Sequence, residues 1–174
     1  MTRNRIPPST TFTTAPLRNR LQIQLDRPLR EVWPVIGDPV RLPEYSAGLE
    51  RVEAKRDSTG ACTEYLCYFK PRAAGMESIV DRNVMRWYEA NVGYASSADA
   101  NNAFGVTNDL NLVLVQDSGA LTMVTWEEYY DAQDVPMMRA EYDGAFADIA
   151  ERLIKRFGGR VIARTTDGPL APVD

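Results

Sequence analysis

The 174-residue chain contains no histidine. This excludes Ser-His-Asp and Cys-His nucleophile systems. It also excludes His-ligated zinc, facial-triad iron and haem on a proximal histidine. A group that exchanges protons near neutral pH must then be a carboxyl, lysine, tyrosine or cysteine shifted by its surroundings. Cysteine is nearly absent too, with only Cys62 and Cys67. Five residues apart on a strand, they point to opposite faces at roughly 16 Å, for a rise of ~3.3 Å per residue. A disulfide cannot span that distance, and two thiols cannot complete a zinc site. They read as reduced thiols packed as small hydrophobes, which suits the cytoplasm. No stretch approaches the ~18 to 20 apolar residues of a membrane span. The N-terminus carries arginines but no apolar signal core. Basic runs are missing as well. With 20 Lys+Arg against 24 Asp+Glu, the formal charge is −4, which argues against nucleic acid as a partner. No GxGxxG or GxxxxGK[ST] pattern cradles a phosphate. No cofactor or metal is therefore expected, nor any membrane insertion.

The composition is that of a globular domain: 44% apolar, 9% aromatic and 25% charged. The length fits one domain over 18–162, with a Thr/Pro-rich extension over 1–17 and a tail over 163–174, both expected to be flexible. Residues 20–26 alternate, Leu21, Ile23 and Leu25 against Gln22, Gln24 and Asp26, and predict a half-buried strand. Pro28 opens a short helix with Leu29, Val32, Trp33 and Ile36 on its apolar face. Pro34 keeps it short or kinked, and Gly37 with Asp38-Pro39 ends it. A second short helix follows over 39–48, with Leu42 and Tyr45 inward. Strands are predicted at 49–55, 62–70, 77–89, 90–98, 109–116 and 121–130, separated by turn clusters such as Asp57-Ser58-Thr59-Gly60 and Asp117-Ser118-Gly119. After Pro136 the period becomes 3.6, with Met138, Tyr142, Ala145, Phe146, Ile149, Leu153 and Phe157 on one face and Gly158-Gly159 as the stop. Strands and helices are segregated, so the class is α+β. Seven antiparallel strands can curl around the long helix, with the two small helices at one end and a space between sheet and helix.

Three segments carry a family resemblance: LDRPLREVWPVIGDPVRLPEY at 25–45, GALTMVTWEEYY at 119–130 and AFADIAERLIKRFGG at 145–159. Together, over roughly 20–161, the chain resembles the SRPBCC superfamily of START, polyketide-cyclase and birch-pollen-allergen proteins. The resemblance implies a helix-grip fold enclosing a large apolar cavity, a small hydrophobic ligand or substrate as partner, and a monomer or homodimer. Members bind lipids, sterols or polyketides, and some catalyse cyclisation, aromatisation or dehydration. The superfamily shares no catalytic signature, so no catalytic residue carries over from it, and the loop holding Asn101-Asn102 and Phe104-Gly105 is a cavity gate by analogy only.

Strand parity then nominates residues. If Trp126 points inward, Val124, Glu128 and Tyr130 share its face. A carboxyl in an apolar cavity has a raised pKa and can act as acid or base; alternatively Glu128 pairs with an arginine, or the strand end reverses its face. Asp81 lies on one face with Ile79, Asn83, Met85 and Trp87, and points either inward as a second acid or outward toward a basic neighbour. Leu110, Leu112 and Leu114 are expected to face the core, which turns Asn111 outward. Tyr45, Tyr65, Tyr94, Tyr130 and Tyr142 supply rings with hydroxyls for a ligand, or simply pack. Cys67, Met85, Trp126 and Met138 complete the expected wall. Glu128, Asp81 and Tyr94 are the candidates for chemistry, and the others for substrate contact. Three functions fit: a cofactor-independent cyclase, aromatase or dehydratase on a hydrophobic metabolite; a non-catalytic binder or carrier of lipid or apolar metabolite; and an interaction domain with a collapsed cavity.

Overall fold

A computed structural model of the protein describes residues 6–167. One antiparallel sheet holds eight strands: β1 Leu17–Leu25, β2 Leu49–Arg56, β3 Cys62–Phe69, β4 Ile79–Glu89, β5 Gly93–Ala98, β6 Val106–Ser118, β7 Leu121–Ala132 and β8 Gly159–Arg164. Their order is β2-β3-β4-β5-β6-β7-β1-β8. Helix α1, Leu29–Ile36, and a 3₁₀ segment, Pro39–Glu44, follow β1, and helix α2, Val135–Phe157, lies across the sheet. This is the helix-grip arrangement the resemblance implies. Among the described residues no helix is long and apolar enough to cross a membrane.

The elements follow from local chemistry. β1 alternates buried and half-buried residues along its whole length. Asp38 caps the 3₁₀ segment by accepting the Val40 N–H at 3.1 Å. Asp134 caps α2 by accepting the Met137 N–H at 2.9 Å. The C-terminal half of α2 packs Phe146, Ile149, Ala150, Leu153 and Phe157 against Leu21, Ile23, Leu25, Val124 and Trp126, with α1 closing the same core through Val32, Trp33 and Ile36.

Four expectations change. The sheet has eight strands, not seven. Gly158 (φ +74°) and Gly159 (φ +126°) end the helix, but they also start β8. A Cβ on Gly159 would lie 2.0 Å from the Gln24 carbonyl oxygen, so glycine is what lets β8 pair beside β1. Beyond β8, buried Thr165 accepts the Arg20 N–H through its hydroxyl at 2.9 Å. The fifth strand starts at Gly93 rather than 90, because Asn91 sits in the left-handed region (φ +64°) and makes a turn.

The third change concerns the outer face of the sheet. Leu110 and Leu112 do not face α2. They form a second apolar layer with Ala15, Leu17, Ala95 and Tyr129, against which Phe12, Trp87 and Leu114 pack. Residues of the N-terminal extension cover this layer. Thr13 is buried and its hydroxyl donates to Asn108. Asn111 consequently faces inward. The fourth change concerns parity. Register shifts at Leu17/Asn19, Met85/Trp87 and Thr107/Leu110 each add a residue to one strand. The shift in β4 turns Trp87 to the outer layer, away from the Met85 face. The one in β6, where Asn108 has φ +53°, turns Asp109 to the inner face beside Asn111.

Candidate functional site

The N-terminal half of α2 stands away from β3, β4 and β5, and the gap is a two-part cavity. The outer part, about 630 Å³, is a groove between α2 (Met138, Glu141, Tyr142, Ala145), the segment Ser46-Ala47-Gly48 and the end of β3. The inner part, about 180 Å³, is a chamber between α2 and strands β3 to β7. Phe69, Phe104, Tyr142 and Ala145 line both and form the neck. Phe69 and Phe104 meet edge to face at 5.1 Å. The Asn102 amide holds Phe104 there: its oxygen accepts the Phe104 and Val106 N–H groups, and its nitrogen donates to the Asp99 and Val106 carbonyls. A collapsed cavity, which the third reading required, is not what the chain forms.

Three carboxyls line the chamber: Asp81 from β4, Asp109 from β6 and Glu128 from β7. No lysine or arginine is among the described residues that line it. Glu128 sits opposite Asn111 in the β6–β7 ladder, and the Asn111 amide donates a hydrogen bond to its Oε1. Burial pushes the Glu128 carboxyl well above the usual range, the Asp109 charge adds to the rise, and the Asn111 bond opposes it. Asp109 is pushed up to about 6, first by burial and further by Asp81, against the Ala98 N–H that its Oδ2 accepts at 2.7 Å. Its Oδ1 is buried with no hydrogen-bond partner among the described residues. Asp81 is also raised by burial, against the Ala103 N–H accepted by its Oδ1 at 3.1 Å.

Of the expected residues, Glu128, Asp81, Tyr94, Tyr65, Cys67, Trp126 and Tyr142 line the chamber, and Met138 lines the groove. The Tyr65 hydroxyl shares a 2.7 Å hydrogen bond with Ser96 Oγ. Tyr94 is 1% exposed, and its hydroxyl makes no hydrogen bond among the described residues. Burial pushes the Cys67 thiol up to about 12, so it is a packing group and not a nucleophile. Three expected wall residues lie elsewhere. Tyr45 is buried behind the wall, its ring 6.2 Å from that of Trp126. Met85 packs between two core clusters. The Tyr130 hydroxyl donates to Asn19 Oδ1 at 2.8 Å, which directs it away from the chamber.

Asp109, Asn83 and Asn111 were missed as site residues, and so was the neck ring Phe69, whereas Phe104 belongs to the loop expected by analogy to gate the cavity. Asp109 and Asn111 alternate with Leu110 and Leu112, and an apolar row ordinarily marks the core side. A signal was present in the Thr/Pro-rich extension, which can cover a second apolar face.

No family model matches the sequence, and no curated protein matches it. Solved structures do. The START superfamily protein from Mycobacterium smegmatis superposes with a TM-score of 0.66 at 10% identity, covering 79% of this chain and 94% of that one. The protein XoxI from Bacillus cereus gives 0.65 at 17% identity, covering 79% and 93%. The di-domain ARO/CYC BexL from the BE-7585A biosynthetic pathway gives 0.59 at 14% identity, covering 78% of this chain and 45% of that one. At these identities the likeness establishes the fold, not the activity.

Proposed function

From the helix-grip fold and its acid-lined chamber, we propose that the protein acts on a largely apolar small molecule as a cyclase, aromatase or dehydratase, with Glu128 as the group that moves the proton. The carrying observation is that three carboxyls line a mostly apolar enclosure with no lysine or arginine among the described residues around them. Such burial opposes folding, and proteins keep such costs where chemistry uses them.

The proton bookkeeping is simple for a β-hydroxy carbonyl substrate. The neck and chamber walls fold the flexible molecule into a reactive conformer. Glu128, basic because it is buried near Asp109, takes the proton alpha to the carbonyl. The Tyr94 hydroxyl, without another hydrogen-bond partner among the described residues, donates a hydrogen bond to the developing enolate oxygen. Glu128, now a neutral acid, returns that proton to the departing hydroxyl, which leaves as water. In a cyclisation the same carboxyl deprotonates the attacking carbon and protonates the alkoxide that forms. Asn111 orients the Glu128 carboxyl throughout.

A carrier without catalysis is the second reading. It is favoured by the groove, the larger part of the cavity, where Phe69, Ile79, Met138 and Ala145 offer apolar contact for a bound molecule. The two part on one experiment. The small molecule that co-purifies is identified by mass spectrometry and incubated with wild-type and Glu128→Gln protein. The enzyme reading expects turnover by the wild type and a loss of roughly 10²-fold or more in the variant, with binding retained. Binding without turnover in the wild type assigns the protein to the carriers.

A further inference from the structure

The chamber's charge is one-sided. Asp81, Asp109 and Glu128 line it, while the basic lining residues Lys70 and Arg72 stand at the outer groove. Arg72 is engaged there with Glu141 at 3.1 Å. A ligand carboxylate or phosphate entering the chamber would meet like charge and no donor cation. An ammonium group would meet the reverse. Asp109 Oδ1 has no partner among the described residues to lose. Independently of the acids, the Tyr94 hydroxyl is buried in the wall without a hydrogen bond among the described residues, so its oxygen is free to accept one. The rings of Tyr94, Phe104, Trp126 and Phe146 present apolar and π surface around the same space, and aromatic faces attract cations more strongly where water is excluded.

We propose that the inner chamber selects ligands whose leading end is a protonated amine, held by Asp109 and Asp81, with the apolar body trailing through the Phe69–Phe104 neck into the groove. This rests on the reading that the cavity holds an apolar small molecule, and it narrows the class of that molecule. It also couples binding to chemistry. An ammonium at Asp109 neutralises the charge that adds to the burial-driven rise of the Glu128 carboxyl, so the proper ligand increases the fraction of Glu128 able to act as a base.

Isothermal titration at pH 7 with 4-phenylbutylamine, 4-phenylbutanol and 4-phenylbutyrate tests this. The three share one apolar body and differ in charge at one end. The amine is expected to bind about tenfold tighter than the alcohol, and the carboxylate about tenfold weaker. In the Asp81→Asn/Asp109→Asn protein, the alcohol should keep its affinity within about threefold while the amine loses its advantage. Should the double variant fail to bind the alcohol, the two single variants make the same comparison in a less altered chamber. A carboxylate that binds wild type as tightly as the amine overturns the proposal and leaves the cavity reading standing. So does an amine no tighter than the alcohol, or an amine preference that survives the substitutions. Failure of all three probes to bind overturns the cavity reading itself, and this proposal with it.

Discussion

Asp109 shows what the chamber costs the fold. Its carboxyl moves from 3.8 to about 6 because ionisation inside the cavity is disfavoured. A raised acid contributes its full stability below the unfolded value near 3.8 and loses it as pH rises through about 6. At ~1.4 kcal/mol per unit, the ionised form opposes folding by about 3 kcal/mol near pH 7.5. Glu128 has the same sign, since burial and Asp109 both raise it. Glu44 and Glu64 run oppositely. Arginine partners hold each at about 2, so they support the fold above the ordinary carboxylate range and release that support only as pH falls toward 2. Asp109→Asn should therefore stabilise the ligand-free protein at pH 7.5 by about 1 to 3 kcal/mol, and the gain should shrink to about 0.5 kcal/mol or less by pH 4, as read from urea melts at the two pH values. Equal stabilisation at both would mean that the amide improves packing rather than removing a buried charge.

At the scale of the element, bulges and the N-terminal extension decide which residues reach the site. β7 is regular, so counting by two from Trp126 correctly places Val124 and Glu128 inward. α2 declares itself through its 3.6-residue period and its Pro136 and Gly158 boundaries. Counting fails in β4, where a single extra residue reverses the side chains beyond Met85, and in β6 the alternation holds but the leucine row marks the outer layer instead of the cavity side. Tyr130 shows a different gap. Its strand face is the inward one, but its hydroxyl is taken by Asn19, a partner more than a hundred residues away. β8 was hidden because Gly158-Gly159 reads as a stop, while its role in pairing depends on the neighbouring Gln24 backbone. The extension covers Leu110, Leu112 and Tyr129, and Phe12 and Ala15 pack into that layer. Removing residues 1–15 should cost about 2 kcal/mol, for roughly 80 Å² of apolar surface returned to water. A denaturation midpoint unchanged by the truncation would show that the outer layer stands without its cover.

At the scale of the molecule, the two halves of α2 have different tasks. The C-terminal half packs on β1 and β7 through Phe146, Ile149 and Leu153, while the half from Met138 to Ala145 lines the groove and is held by Met138 against Val106 and Tyr130 and by the Asn19 amide on Arg139 and Asp143. Ala145 lines both groove and chamber. Ala145→Trp should plug the neck and abolish ligand co-purification while leaving the melting temperature within a few degrees, because the helix is retained and no core residue is replaced. The molecule as a whole offers no histidine, so proton transfer near neutral pH depends on what the enclosure does to a carboxyl. That dependence is measured most directly by a carbon-13 NMR titration of the Glu128 and Asp109 side-chain carboxyls in the ligand-free protein. Glu128 should remain protonated well above pH 4.5 and Asp109 should titrate near pH 6. Ordinary titration of both near pH 4 would mean that water enters the chamber freely, and would contradict the proton-moving role assigned to Glu128.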